Sequence, residues 1–114
     1  MKLANALVCA AVLCLSSSAF AQAEAYTMIC NKIGKQARGY FTVNGQTYSQ
    51  KVRIGEQASG CWGRCGVACD GPPVYTQECL NHDVCYAATG QLTGECGDEF
   101  NAAADGFFNG PNCY

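Results

Sequence analysis

The chemistry this sequence offers is concentrated in one run, Cys79-Leu80-Asn81-His82-Asp83-Val84-Cys85-Tyr86. His82 is the single histidine of the chain, with a cysteine three residues to either side. An imidazole titrates near neutral pH and is the natural general base for drawing a proton from water. Asp83 points about 100° further around a helix, so the two side chains must do different jobs. A carboxylate beside a glycine-rich loop is a natural ligand for a hard cation. Such a loop precedes it, Trp62-Gly63-Arg64-Cys65-Gly66-Val67-Ala68-Cys69. Cys79, His82 and Cys85 also have the donor types for zinc. A lone histidine can equally be a packed or surface residue.

These residues need elements to hold them. From Tyr75 to Thr89 glycine and proline are absent, which predicts a helix closed by Gly90. Cys79, His82 and Tyr86 fall on one face of it. A second helix is expected from about Gly94 to Phe107, with an apolar face of Cys96, Phe100, Ala103 and Phe107. Asp98, Ala102 and Asp105 run along a neighbouring strip, and Ala102 to Ala104 are small enough for the helices to approach closely. Upstream, Arg38–Asn44 and Thr47–Ile54 are rich in β-branched and aromatic residues and flank Asn44-Gly45-Gln46. Asn-Gly supplies the positive φ of a tight turn, so the pair reads as a β-hairpin. Tyr26–Ile33 offers a third strand. Gly60–Pro73 reads as a cross-linked loop, and the tail is tied down by Cys113.

Composition sets the compartment. The 114 residues suit one domain, and 10 cysteines mark a disulfide-stapled secreted scaffold. Met1-Lys2, the apolar run Leu3–Leu15 and Ala19-Phe20-Ala21 form a secretory signal peptide over residues 1–21. A second A-x-A, Ala23-Glu24-Ala25, offers cleavage four residues later. The apolar run is shorter than the roughly 20 residues of a membrane span, so no transmembrane segment is expected. Cleavage near Ala21 places the chain in the secreted or periplasmic space as one domain, residues 22–114. It also removes Cys9 and Cys14. The eight that remain imply four disulfides, among which sequence alone does not choose. An even count in an exported chain argues against zinc.

Aromatics at 11% and a net charge of −2 exclude a disordered chain. A pI near 5.2 and the lack of any Lys/Arg run argue against nucleic acid. Charge is unevenly divided. Lys32, Lys35, Arg38, Lys51, Arg53 and Arg64, set against Glu24 and Glu56, give residues 22–64 a net charge of +4, and the acids of residues 65–114 give −7. Such a block repels itself unless solvent or a bound cation offsets it.

C-x-x-H-D-x-C-Y at 79–86 resembles the active-site helix of secreted phospholipases A2, and the likeness spans roughly residues 60–107. The resemblance implies a small disulfide-rich α+β fold, an N-terminal β-hairpin plus two antiparallel disulfide-linked helices of phospholipase A2 type. It implies His82 as catalytic base, Asp83 as Ca²⁺ ligand and Tyr86 in the supporting hydrogen-bond network. Arg64, Gly66 and Ala68 correspond to the carbonyl donors of the family's calcium loop. Cys96-Gly97-Asp98 is similar to the facing helix, making Asp98 the carboxylate that orients the histidine, with Asp105 as the lesser candidate. The pairs Cys65–Cys79 and Cys85–Cys96 follow from the resemblance, with Cys61–Cys69 and Cys30–Cys113 as the remainder.

The chain also departs from the family. Glu78 stands where many members have a cysteine, and Ala68 replaces a glycine. The loop is about two residues nearer the helix, no β-wing separates the helices, and no amphipathic N-terminal helix is evident. The implied function is a secreted Ca²⁺-dependent hydrolase of phospholipid or another lipid ester. The alternative is a non-catalytic secreted effector or binding module on the same scaffold.

Overall fold

The computed structural model describes residues 26–66 and 69–114. The expected signal peptide, with Cys9 and Cys14, and the expected carbonyl donor Ala68 lie outside the described residues. The described chain is a small α+β unit. A hairpin, β1 (Gln36–Val43) and β2 (Gln46–Arg53), is followed by two three-residue strands, β3 (Gly55–Gln57) and β4 (Gly60–Trp62). Helix α1 (Gln77–Thr89) and helix α2 (Gly97–Asn109) complete it, with a 3-10 turn at Gly94–Cys96 leading into α2.

The hairpin forms where the sequence predicts it. Gln36 pairs with Arg53 and Val43 with Gln46, around left-handed Asn44 (φ 53°) and Gly45 (φ 79°). Along β1, Gly39 and Phe41 are buried between exposed Arg38, Tyr40 and Thr42. That is the alternation of a sheet with one covered face. Gly39 is the point of closest approach. A Cβ there would lie 2.7 Å from Val84 Cγ2 and 3.0 Å from the Leu80 carbonyl, so only glycine lets β1 press on α1.

The edge of β1 not paired with β2 faces the helices, where side chains take its backbone groups. The Tyr40 N–H donates to Asn81 Oδ1 at 2.8 Å, and the Thr42 N–H to Glu99 Oε2 at 2.9 Å. Gln77 Nε2 donates to the Arg38 carbonyl at 2.9 Å and also to Asn81 Oδ1. Three side chains thus supply what a third strand would have supplied.

Tyr26–Ile33 does not become a strand. It makes one bridge, Met28 to Thr76, and then turns through a 3-10 segment at Cys30–Lys32. The position beside β1 where a strand would add is already filled by α1.

Helix α1 starts where the Thr76 hydroxyl accepts from the Cys79 N–H, and stops at left-handed Gly90. Its buried residues, Cys79, Leu80, Val84 and Cys85, meet Ile29, Phe41, Ile54, Tyr75 and Cys96 in the main core and Cys65, Val74 and Ala103 in a smaller cluster.

The buried strip of α2 is Glu99, Ala103 and Gly106, whereas Phe100 and Phe107 remain 43% and 44% exposed. Of the expected strip, Cys96 and Ala103 are buried, whereas Phe100 and Phe107 give way to Glu99 and Gly106. The Thr42 N–H supplies the reason, since it fixes a carboxylate where an apolar side chain was expected.

Four disulfides staple these parts: Cys30–Cys113, Cys61–Cys69, Cys65–Cys79 and Cys85–Cys96, with Cα–Cα separations of 5.2–5.9 Å. Among the described residues no helix is long and apolar enough to cross a membrane.

Candidate functional site

Helix α1 carries His82 and Asp83 between two disulfides. Cys65–Cys79 fastens its first turns to the loop after β4, and Cys85–Cys96 fastens its middle to the turn before α2. The two side chains diverge as their helical spacing requires.

His82 is half-buried, and its Nε2 lies 2.8 Å from the carbonyl of Leu92. A carbonyl can only accept, so this contact puts the proton on Nε2 and leaves Nδ1 with the lone pair when the ring is neutral. The carbonyl itself is held. Thr89 Oγ1 accepts from the Gln91 N–H, Gln91 Oε1 accepts from the Glu95 N–H, and Cys96 closes the turn onto α1. The Phe100 ring meets the imidazole edge-on with centroids 5.5 Å apart. Tyr86, one turn along, is 47% exposed, and Leu92 is 55% exposed. An apolar rim of Tyr86, Leu92 and Phe100 therefore borders the imidazole.

Asp83 turns the other way, into the protein. Its Oδ2 accepts the Gly63 N–H at 2.8 Å, while the Gly63 carbonyl accepts the Thr76 N–H. Gly63 is thus clamped through both of its flanking peptide groups between the start and the middle of α1. Burial pushes the Asp83 carboxyl up to about 7, and the Gly63 hydrogen bond offsets only part of that. A desolvated carboxylate with a single N–H partner is short of positive charge. A buried carboxylate in that state is the kind of group that a hard cation would stabilise. Arg64 bridges to Tyr75 and its guanidinium donates to the Gly71 carbonyl. Gly66 is left-handed (φ 100°) beside Phe107.

None of the remaining expected site residues hydrogen-bonds to His82, whose partner is the Leu92 carbonyl. Asp98 is exposed and lines a cleft with Tyr40, Asn81 and Glu99, and makes no hydrogen bond to His82. Asp105 Oδ1 accepts from Asn109 Nδ2 at 2.7 Å. The Tyr86 hydroxyl makes no hydrogen bond to another described residue. Glu78 Oε1 accepts the Thr27 N–H at 2.8 Å and so fastens the N-terminal segment noncovalently. Three participants escaped the sequence reading: Leu92, which acts through its backbone and leaves no side-chain signature, and Asn81 and Glu99, whose partners lie 41 and 57 residues away.

A histidine and an aspartate on a doubly cross-linked helix, facing a cysteine-bound loop, define a class of small disulfide-stapled α+β proteins. The family model described as "Domain of unknown function (DUF8213)" matches residues 10–113, and the chain belongs to that family. No curated protein and no solved structure matches it significantly.

Proposed function

We propose that this protein is an exported, Ca²⁺-dependent hydrolase of phospholipid esters, with His82 as general base. The observation that carries the reading is the contact of His82 Nε2 with the Leu92 carbonyl. It fixes the tautomer in which Nδ1 can take a proton, from a ring bordered by apolar side chains suited to an acyl chain. In the reaction His82 Nδ1 accepts a proton from water as the oxygen attacks the ester carbonyl, and returns it to the leaving alkoxide. The Leu92 carbonyl orients the ring and partly offsets the imidazolium charge. Asp83, with the carbonyls of Arg64, Gly66 and Ala68, would hold Ca²⁺. Bound there, the ion supplies a Lewis acid for the ester carbonyl and the phosphate.

A second reading, a non-catalytic secreted module on the same scaffold, is favoured by one observation. Among the described residues no carboxylate hydrogen-bonds to His82, and the Phe100 ring meets the imidazole edge-on. Fatty acid release from phosphatidylcholine vesicles, with Ca²⁺ and with chelator, decides between them. Chelator-sensitive release that the His82→Gln variant lacks is expected. No release from the parent at any Ca²⁺ concentration leaves the binding module.

A further inference from the structure

The hairpin has one sealed edge and one open edge. On the sealed edge, Tyr40 and Thr42 spend their N–H groups, and Arg38 its carbonyl, on side chains of the two helices. Residues whose backbone groups point out of a hairpin form its non-hydrogen-bonded pairs. Their partners Ser49, Thr47 and Lys51 therefore point their own groups out on the other side. There the sheet ends, because among the described residues β2 pairs with β1 alone. Residues 46–51 are all exposed. Thr47, Ser49 and Lys51 thus present a row of N–H and C=O groups along an open edge, the template for a further strand.

Charge selects what would pair there. Residues 26–55 hold Lys32, Lys35, Arg38, Lys51 and Arg53 and no carboxylate. Arg38 and Lys51 are direct partners in a non-hydrogen-bonded pair, where side chains stand closest. Like charges so placed destabilise a sheet, and an anion beside them relieves the cost. Arg53 lies two residues on, along the same face. The other face of β2 carries Tyr48, 46% exposed and stacked on Phe41, with half-buried Val52 further along. Edge lysines also keep identical copies apart. Two of these edges meeting would join two segments that have cations and no acid, so a second copy is disfavoured and an acidic strand favoured.

We propose that the β2 edge takes an extended acidic peptide of a partner protein as a third strand. The peptide backbone pairs with Thr47, Ser49 and Lys51. Acidic side chains at every second position meet Lys51, Arg53 and Arg38, and apolar ones between them pack toward Tyr48 and Val52. This surface shares no residue with the His82 and Asp83 region and does not depend on hydrolysis.

The test is a titration of the full chain, followed by NMR of its backbone amides, with the blocked heptapeptide Glu-Val-Glu-Val-Glu-Val-Glu. The Thr47, Ser49 and Lys51 amides should shift and become slow to exchange with solvent. A peptide with glutamine for glutamate should bind about tenfold or more weakly. One N-methylated at alternate residues keeps the charges but loses the ladder donors, and should also bind weakly. Lys51→Glu should weaken the heptapeptide by about tenfold or more. The same variant gives Arg38 an opposite charge, so its melting temperature should rise, and lost binding could not be blamed on unfolding.

If the three amides stay unshifted at about 5 mM heptapeptide, above a millimolar site, the proposal is overturned. Equal binding of the N-methylated peptide, or unchanged binding by Lys51→Glu, overturns it too. A sulfated oligosaccharide that occupies the Lys51–Arg53 face more tightly than the heptapeptide would overturn it in favour of a polysaccharide.

Discussion

Asp83 is the residue whose environment most changes its chemistry. An acid whose folded pKa is raised to about 7, against roughly 3.9 unfolded, binds its proton more tightly in the folded state. Its contribution is most favourable below the unfolded pKa and is lost as pH climbs toward and through about 7. The loss amounts to as much as about 4 kcal/mol. The melting temperature of the Ca²⁺-free protein should therefore fall between pH 5 and pH 8, and Asp83→Asn should flatten that slope in a differential scanning fluorimetry series. Ca²⁺ competes with that proton on the proposed reading. Its apparent affinity, measured by calorimetry, should rise with pH to just above 7 and then level, and should vanish in Asp83→Asn. His82→Gln should keep the Ca²⁺ affinity while hydrolysis drops roughly 10²–10⁴-fold, the range of a lost general base. A variant that loses both together would make His82 a ligand and the proposed division of labour wrong.

Among the elements, the contact of β1 with α1 is set by one missing methyl group. Gly39→Ala places a Cβ inside contact distance of both Val84 methyls. It should cost about 1–3 kcal/mol, the usual penalty of overpacking. Urea unfolding of Gly39→Ala, Val84→Ala and the double variant should show the double less destabilised than the sum of the singles. Simple additivity would mean that the strand shifts to absorb the methyl.

The same junction shows what was legible in the sequence. Asn44-Gly45 and the alternation beside it announce the hairpin, and Gly90 announces the end of α1. Strands β3 and β4 have three residues each, too few for alternation to register, so β4 lies inside what reads as loop and β3 in a stretch given no element. On α2 the inward turn of Glu99 in place of Phe100 is not legible in the sequence, because the demand of the Thr42 N–H for an acceptor arises only once hairpin and helix meet. Asp98, two residues after Cys96, lines the cleft with Tyr40 and Asn81 and makes no hydrogen bond to His82.

At the scale of the whole molecule, cross-links take over part of the work of a small core. Cys30–Cys113 joins positions 83 apart, whereas Cys61–Cys69 spans only 8. On the chain-entropy account the long closure is worth about 4–5 kcal/mol and the short one about 2.5. Replacing Cys30 and Cys113 by alanine should therefore lower the guanidinium midpoint more than replacing Cys61 and Cys69. The reverse order would place the value of the short bridge in the native loop, where it shapes the proposed carbonyl donors.

The Cys30–Cys113 link also bears on how the folded chain withstands proteolysis. Covalently, everything from position 30 to position 113 is a closed ring. One peptide bond cut anywhere inside it, at the hairpin tip or in the loop after β4, adds a water molecule and releases no fragment. Separation needs a second cut or a reductant. A nicked molecule keeps its halves tethered and can go on holding its helices in register, so a protease must strike twice to inactivate it. Limited digestion should show this as an intact mass plus one water without reductant, and as two chains with it.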